Sequence, residues 1–165
     1  MQRIALRLAE GWAIVGGVLL IAIMLVTSVN IAGFGLDRLA RHYGGSVSGL
    51  PGYEDFVSLA ISCAALMFWP YCQARRGHVK VELFVKLLPL AARRLLDRLW
   101  LVAGVLGAGF LAYWMVLGML ETQADNARSG VLGWPVWPFY APGIVSLALW
   151  ALVAALQIPD ERGDD

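Results

Sequence analysis

The residue types that most often do chemistry are few in this chain, and they lie far apart. There are two histidines, His42 and His78, and two cysteines, Cys63 and Cys72. A membrane haem needs axial ligands, usually histidines on facing helices, but these two histidines are predicted to lie in loops on opposite sides of the membrane. Zinc sites need Cys and His at short, regular spacings, which this chain lacks. The sequence therefore predicts neither a cofactor nor a metal site.

The remaining candidates for catalysis or cross-linking are also unconvincing. Nine residues of helix separate Cys63 from Cys72, a rise of roughly 13.5 Å, whereas a disulfide needs Cα atoms within about 7 Å. We interpret both cysteines as small apolar residues. The neighbouring acids Glu54 and Asp55 lie at a predicted helix start, where negative charge complements the helix dipole. Neither a nucleophile elbow nor a phosphate loop is present, so no enzyme is predicted.

Composition places the chain in a membrane. Hydrophobic residues make up 59% and charged residues 15%, whereas soluble domains carry about a quarter charged residues. The net charge of +1 gives no reason to expect a nucleic-acid partner. Four apolar runs without charged residues or histidine are each long enough to cross a bilayer. They predict an all-α protein, with one membrane domain over residues 1–165 and spans at about 12–35, 56–74, 99–120 and 139–156. Pro70, near the end of the second run, is predicted to kink its last turn.

The first apolar run and the loop that follows it each allow a specific prediction. The first run could be a secretory signal peptide, but it exceeds the usual apolar length of about 7–15 residues and no clear cleavage site follows. We therefore expect a retained helix. Residues 36–54 are predicted to form a polar loop. Its glycine-rich segment 44–52 is predicted to be irregular, because Gly and Pro disfavour helix there, and the role of that segment stays open.

The basic segment 75–98 predicts the orientation of the chain. It holds seven of the thirteen basic residues. With four spans it shares a side with both termini, so that ten basic residues lie on that side and three on the other. Because Lys and Arg accumulate in cytoplasmic loops, both termini are predicted to be cytoplasmic. Apolar residues at helical spacing from Val79 to Leu88 predict an amphipathic interfacial helix, and Pro89 can open the helix that leads into the third span.

The spans themselves offer no path for a charged solute. Intramembrane charges usually mark ion or proton routes, and the four runs contain none. Thr27, Ser28 and Asn30 form the deepest polar cluster of the first span, which we interpret as making helix–helix hydrogen bonds rather than a substrate site. A four-residue repeat of small residues that includes Gly104 and Ala108 favours a closely packed neighbouring helix. Alone, this chain is a poor transporter.

Two segments resemble the signatures of a known membrane family. Its members carry an Arg-Gly-His-Ile/Val-x-Val-Asp/Glu-like segment after the second span, then Leu-Pro and Arg-Arg-x-Leu-Asp. The corresponding residues here are Arg75-Arg76-Gly77-His78-Val79-Lys80-Val81-Glu82-Leu83, Leu88-Pro89, Arg93-Arg94 and Leu96-Asp97. The second signature, before the last span, is similar to Leu132-Gly133-Trp134-Pro135-Val136-Trp137-Pro138. Its Gly, Pro and Trp residues predict a turn at the headgroup level. The chain thus resembles the DctQ-type small membrane subunit of tripartite ATP-independent periplasmic (TRAP) transporters.

The resemblance implies partners rather than a reaction centre. A large membrane subunit would carry the sodium and substrate sites, and a periplasmic binding protein would deliver the solute, commonly an organic acid. This chain would brace the large subunit in the bacterial inner membrane. The interface with that partner or with anionic lipid would comprise Arg75, Arg76, Gly77, His78, Glu82, Pro89, Arg93 and Arg94. The periplasmic-side motif would comprise Gly133, Trp134, Pro135 and Trp137.

Two other functions are open to a chain of four apolar spans. A membrane anchor subunit of a redox complex would show haem or quinone spectra when purified. A stand-alone interaction or sensor protein would be stable and functional without a large membrane partner.

Overall fold

The computed structural model describes residues 2–75 and 89–158 of the chain. The described residues are nearly all helical, and four helices are long and apolar enough to cross a membrane. This confirms the predicted all-α class with four candidate spans. The helices are α1 (Gln2–His42), α2 (Tyr53–Met67), α3 (Trp69–Ala74), α4 (Leu90–Ala124) and α5 (Ala141–Gln157), with a 3-10 turn at Trp137–Tyr140.

Helix α1 is much longer than the span predicted for it. Its 41 residues extend about 61 Å, roughly twice the hydrocarbon thickness of a bilayer. The helix continues past Gly35 to His42 because no strong helix breaker comes before the two adjacent glycines Gly44 and Gly45. Its last turns are also supported by an Arg41–Asp37 salt bridge of 2.7 Å, one helical turn apart. The predicted polar loop 36–54 therefore shortens to residues 43–52.

The second candidate span, Tyr53–Ala74, consists of two helices rather than one. The break lies at Phe68, two residues before the buried Pro70. Proline has no N–H to donate to the carbonyl of Leu66, and its ring crowds that carbonyl. The sequence placed a kink near Pro70; the structure shows that its effect reaches back to Phe68.

Helix α5 is the centre of the bundle. It packs against α4 on one side and against α3, α2 and α1 on the other. Gly143 lies in contact with both neighbours, since a Cβ there would lie 2.5 Å from Met115 Cε and 2.8 Å from Leu66 Cδ1 and would displace these flexible side-chain ends. On α4 the fully buried Ala108 occupies the small-residue repeat predicted from the sequence.

Helices α1 and α2 form the second half of the bundle. Ile23, Ala60 and Ala64 make up its buried core. The tightest approach is at Gly16, where a Cβ would lie 2.9 Å from Met67 Cβ. A Cβ is held by its own backbone and cannot rotate away, so glycine at this position sets the distance between the two helices.

Candidate functional site

The first loop folds back along α1 instead of leaving it. The Val47 N–H donates to Asp37 Oδ1 at 3.0 Å, and the Leu50 N–H donates to Asn30 Oδ1 at 2.9 Å. Asp37 and Asn30 are two turns apart, so the loop retraces about 10 Å of the helix. We call the end of the bundle that carries residues 43–52 and 125–136 the loop end.

Close contact at Gly49 gives the glycine-rich loop a role. A Cβ there would lie 2.6 Å from Asn30 Oδ1 and 3.2 Å from Phe34 Cε1, so only glycine fits against the helix. Asn30 itself is 1% exposed, and its Nδ2 has no hydrogen-bond partner within the described part of the chain. The hydrogen bond that Asn30 accepts comes from a loop and not from another helix, which corrects the interpretation drawn from the sequence.

The second loop is a compact turn between α4 and the 3-10 turn. Its two arms meet in an antiparallel bridge between Arg128 and Pro135. Ser129 ties the arms together, because its N–H donates to Trp134 O at 2.9 Å and its Oγ accepts from Trp134 N at 3.0 Å. Gly133 has a φ of 65°, a left-handed conformation that glycine adopts at little cost. The predicted Gly-, Pro- and Trp-rich turn is thus internally hydrogen-bonded.

Asp55 fastens this second loop to the start of α2. Its Oδ2 accepts hydrogen bonds from the backbone N–H groups of Val131 at 2.7 Å and Leu132 at 2.9 Å. The neighbouring Glu54 instead accepts from the Tyr53 hydroxyl at 3.2 Å. Both acids lie in the first turn of α2, where the sequence placed them, but the pairing of Asp55 with a loop 76 residues away was not predicted.

An aromatic stack completes the loop end. Trp134 packs edge-on against Phe56 and face-on against Phe139, with ring centroids 6.4 Å apart in both pairs. Trp134 and Trp137 remain 42% and 37% exposed, as expected of side chains at a membrane surface. Beside the stack lies an open depression of about 210 Å³. It is lined by Val26, Leu50, Pro51, Gly52, Tyr53, Phe56, Leu132 and Trp134.

This depression is suited to recognition rather than to catalysis. Its lining is almost wholly apolar, and a reaction centre needs convergent titratable or nucleophilic groups. The two loops that form it are held by hydrogen bonds to α1 and α2, so the surface is preorganised. A preorganised apolar surface binds a partner at a smaller entropic cost.

The opposite end of the bundle carries the described part of the basic segment. Arg75 follows α3 and is exposed; its Nε donates to the Tyr71 hydroxyl at 3.2 Å and its guanidinium lies 5.4 Å from the Tyr71 ring centre. Pro89 directly precedes the first residue of α4. The interfacial helix predicted before Pro89 lies outside the described residues. So do Arg76, Gly77, His78 and Glu82, and the side chains of Arg93 and Arg94.

A group of side-chain hydrogen bonds near this end was not predicted from the sequence. Gln73 Nε2 donates to Gln157 Oε1 at 2.8 Å, while Gln157 Nε2 donates to the Gln73 carbonyl at 3.0 Å. The Trp150 indole N–H donates to Gln73 Oε1 at 3.2 Å. The signal available in the sequence was one amide side chain near the end of each of two apolar runs.

The two cysteines and His42 were candidates for chemistry in the sequence, and the structure shows their contacts. Cys63 is buried and its thiol donates to the Phe139 carbonyl at 3.1 Å, and Cys72 is also a free thiol. His42 packs edge-on against Tyr43, with centroids 5.5 Å apart. Within residues 2–75 and 89–158, no three His, Cys, Asp or Glu side chains come close enough to hold a metal ion.

Comparison with known proteins adds one positive finding. The family model described as "Tripartite ATP-independent periplasmic transporters, DctQ component" matches residues 36–161, well over half of the chain. The matched range includes both loops of the loop end and the last three candidate spans. Comparison with curated proteins gives no significant match, and neither does comparison with solved structures.

Proposed function

Since this chain belongs to the DctQ component family of the TRAP transporters, we propose that it is a non-catalytic scaffold that braces the large, sodium-coupled membrane subunit. The family match confirms the resemblance noted in the sequence and makes the chain a small, multi-pass membrane component. Its family works with a large membrane subunit and a periplasmic binding protein. Uptake of an organic acid and sodium coupling are the parts of the proposal that come from the resemblance.

The scaffold role is supported chiefly by the buried polar side chains, which form hydrogen bonds within the chain. Asn30, Gln73 and Ser146 are all more than nine-tenths buried. Each hydrogen-bonds inside the chain: Ser146 Oγ, for example, accepts from the Trp12 indole N–H at 2.8 Å. These groups tie α1, α3 and α5 to one another and to the first loop. A solute path would instead line a cavity with polar groups.

The loop end is proposed to face the periplasm. The basis is the sequence asymmetry, with ten basic residues on the side of both termini and three on the side of the loop end. The segment from Arg75 to Arg94 then meets anionic lipid of the bacterial inner membrane and the cytoplasmic side of the large subunit. A reporter protein that is active only in the periplasm should be active when fused at Ser46 or at Asn126, and one that is active only in the cytoplasm should be inactive there. Activity of the cytoplasmic reporter at both sites refutes this orientation.

The same orientation gives the loop end a partner. Its depression and the motif Gly133, Trp134, Pro135 and Trp137 would face the periplasmic binding protein. The preorganised, apolar character of this surface supports that assignment.

Extraction of the tagged protein from its native membrane in mild detergent tests the scaffold role. A larger polytopic protein should co-purify with it. Charge reversal by Arg75→Glu together with Arg76→Glu should reduce that recovery, while the binding protein's affinity for its solute stays unchanged. Arg128→Glu, an exposed charge at the loop end, serves as the matched control. A monomer that is stable alone in both detergent and lipid, or that shows haem or quinone absorption, contradicts the scaffold role.

A further inference from the structure

Helix α4 has one packed side and one side that faces outward. Among the described elements it packs along α5 and the 3-10 turn, and Ala108 on this inner side is fully buried. On the other side, four large side chains recur at spacings of four, three and four residues, with one more beside them. We call this set the α4 outer face. Its members, Leu106, Phe110, Tyr113, Trp114 and Leu117, are 37% to 68% exposed.

The aromatic part of the outer face lies at hydrocarbon depth. The candidate span Leu95–Ala124 has its centre next to Phe110. Tyr113 and Trp114 are therefore within about 7 Å of that centre along the helix, whereas the hydrocarbon layer extends about 15 Å to either side of its midplane. Tyr and Trp are normally enriched at the headgroup level instead. Two such residues, exposed together near mid-membrane, need an explanation other than interfacial anchoring.

Their polar atoms make lipid tails a poor neighbour. Trp114 touches the rings of Phe110 and Tyr113 edge-on, at 6.2 Å and 6.1 Å. Within the described residues, neither the Tyr113 hydroxyl nor the Trp114 indole N–H has a hydrogen-bond partner. Acyl chains offer no acceptor, and an unsatisfied donor in hydrocarbon is unfavourable. A protein surface with oxygen acceptors would satisfy both donors.

Helix α1 provides an internal comparison. A stripe of large exposed side chains with the same spacing on α1 consists of Ile14, Val18, Ile21 and Leu25, which are 55% to 63% exposed. They are all aliphatic and carry no N–H or O–H group, as expected of a face covered by lipid tails. The two outward stripes thus differ in chemistry, because the α1 stripe carries no hydrogen-bond donor and the α4 outer face carries two.

A second copy of this chain does not complement the outer face. A symmetric dimer would place the same patch on both sides of the interface. That patch offers two donors, but its single acceptor is the Tyr113 hydroxyl, because the indole N–H only donates. A different helix, with carbonyl or hydroxyl oxygens at this depth, fits better.

We propose that the α4 outer face is the surface on which a transmembrane helix of the large membrane subunit packs, with oxygen acceptors opposite Tyr113 and Trp114. This inference rests on the proposed scaffold function. It adds which side of the small subunit is covered and what chemistry the covering helix presents. The α1 side then remains in contact with lipid.

Photocrosslinking in native membranes tests the assignment. Benzoylphenylalanine is placed at Tyr113 or Trp114 in the complete complex, and at Val18 or Ile21 as matched α1 controls. The outer-face positions should form adducts with the co-purifying large protein at least about tenfold more often than the α1 positions. Adducts from α1 but not from α4, or adducts of twice the 18.0 kDa mass of this chain, overturn the proposal.

Conservative variants then test the hydrogen bonds. Tyr113→Phe keeps the ring and removes its donor, and Trp114→Phe replaces the indole with a smaller ring that has no donor. Each should weaken recovery of the large protein about threefold, as measured for hydrogen bonds between membrane helices. Tyr43→Phe, at an exposed position of the first loop, should have no effect. Unchanged recovery in both outer-face variants refutes the hydrogen bonds. If the large protein never co-purifies, the scaffold function itself fails; if it co-purifies without outer-face adducts, only the present assignment fails.

Discussion

Gly52 is where the two loops of the loop end press most closely together. Its φ of 79° lies in the left-handed region, and a Cβ there would lie 2.6 Å from both Cγ and Cδ2 of Leu132. Non-bonded carbons normally approach to about 3.5–4.0 Å, so Gly52→Ala creates an overlap of about 1 Å. Rotating the tip of Leu132 does not relieve it, because Cγ overlaps as well. The Leu132 backbone is also held by its hydrogen bond to Asp55.

Two contributions set the size of the effect. A left-handed φ costs an alanine about 1–2 kcal/mol, and overpacking costs about 1–3 kcal/mol. Gly52→Ala should therefore lower the free energy of unfolding by about 2–5 kcal/mol. Gly44 is a matched control, because its φ is also 79° but a Cβ there would meet nothing within 4 Å. Gly44→Ala should lose only the first contribution, about 1–2 kcal/mol.

The assay is reversible unfolding of the purified protein in lipid–detergent micelles with increasing denaturing detergent. A double-mutant cycle isolates the contact, since Leu132→Ala removes both overlapping carbons. In the Leu132→Ala background, Gly52→Ala should cost no more than Gly44→Ala does alone. Equal costs of Gly52→Ala and Gly44→Ala in the native background would refute the packing of the first loop against the second.

Two further substitution pairs test other contacts. Asp55→Asn should speed hydrogen exchange at the amides of residues 131 and 132, because a neutral side chain binds them more weakly, whereas Glu54→Gln should not; equal rates in both variants would contradict the Asp55 contact. Gly16→Ala should destabilise the protein by about 1–3 kcal/mol by forcing α1 from α2. Gly17→Ala, with open space around its Cβ, should be neutral or stabilising in the same unfolding assay, and similar losses in both would argue against this helix contact.

The parts of the fold that depend on local pattern were predictable. Charge-free apolar runs indicated four spans, because burial of a helix in hydrocarbon requires about 20 apolar residues in sequence. The turn before the last span was indicated by Gly133 and Pro135, which disfavour regular structure. The start of α2 was indicated by its acidic first turn. Each of these signals lies within the segment that it describes.

The bounds of the elements were less predictable, because they depend on competing local effects. The sequence ended the first span at Gly35, but the helix continues to His42 until a stronger breaker follows. It placed a disturbance at Pro70, while the helix breaks at Phe68, since the missing hydrogen bond of proline belongs to a carbonyl four residues earlier.

The sequence by itself determined the class of the protein, its four candidate spans and its family, because apolar length and signature spacing are properties of the chain in order. Tertiary structure alone decided what the loops do. Asn30 binds the first loop and Asp55 binds the second, and Gly52 lies against Leu132. Such contacts join residues that are distant in sequence, and folding brings them together only through the packing of α1, α2 and α5. A side chain's type states what it can bind, and only the fold states what comes within reach.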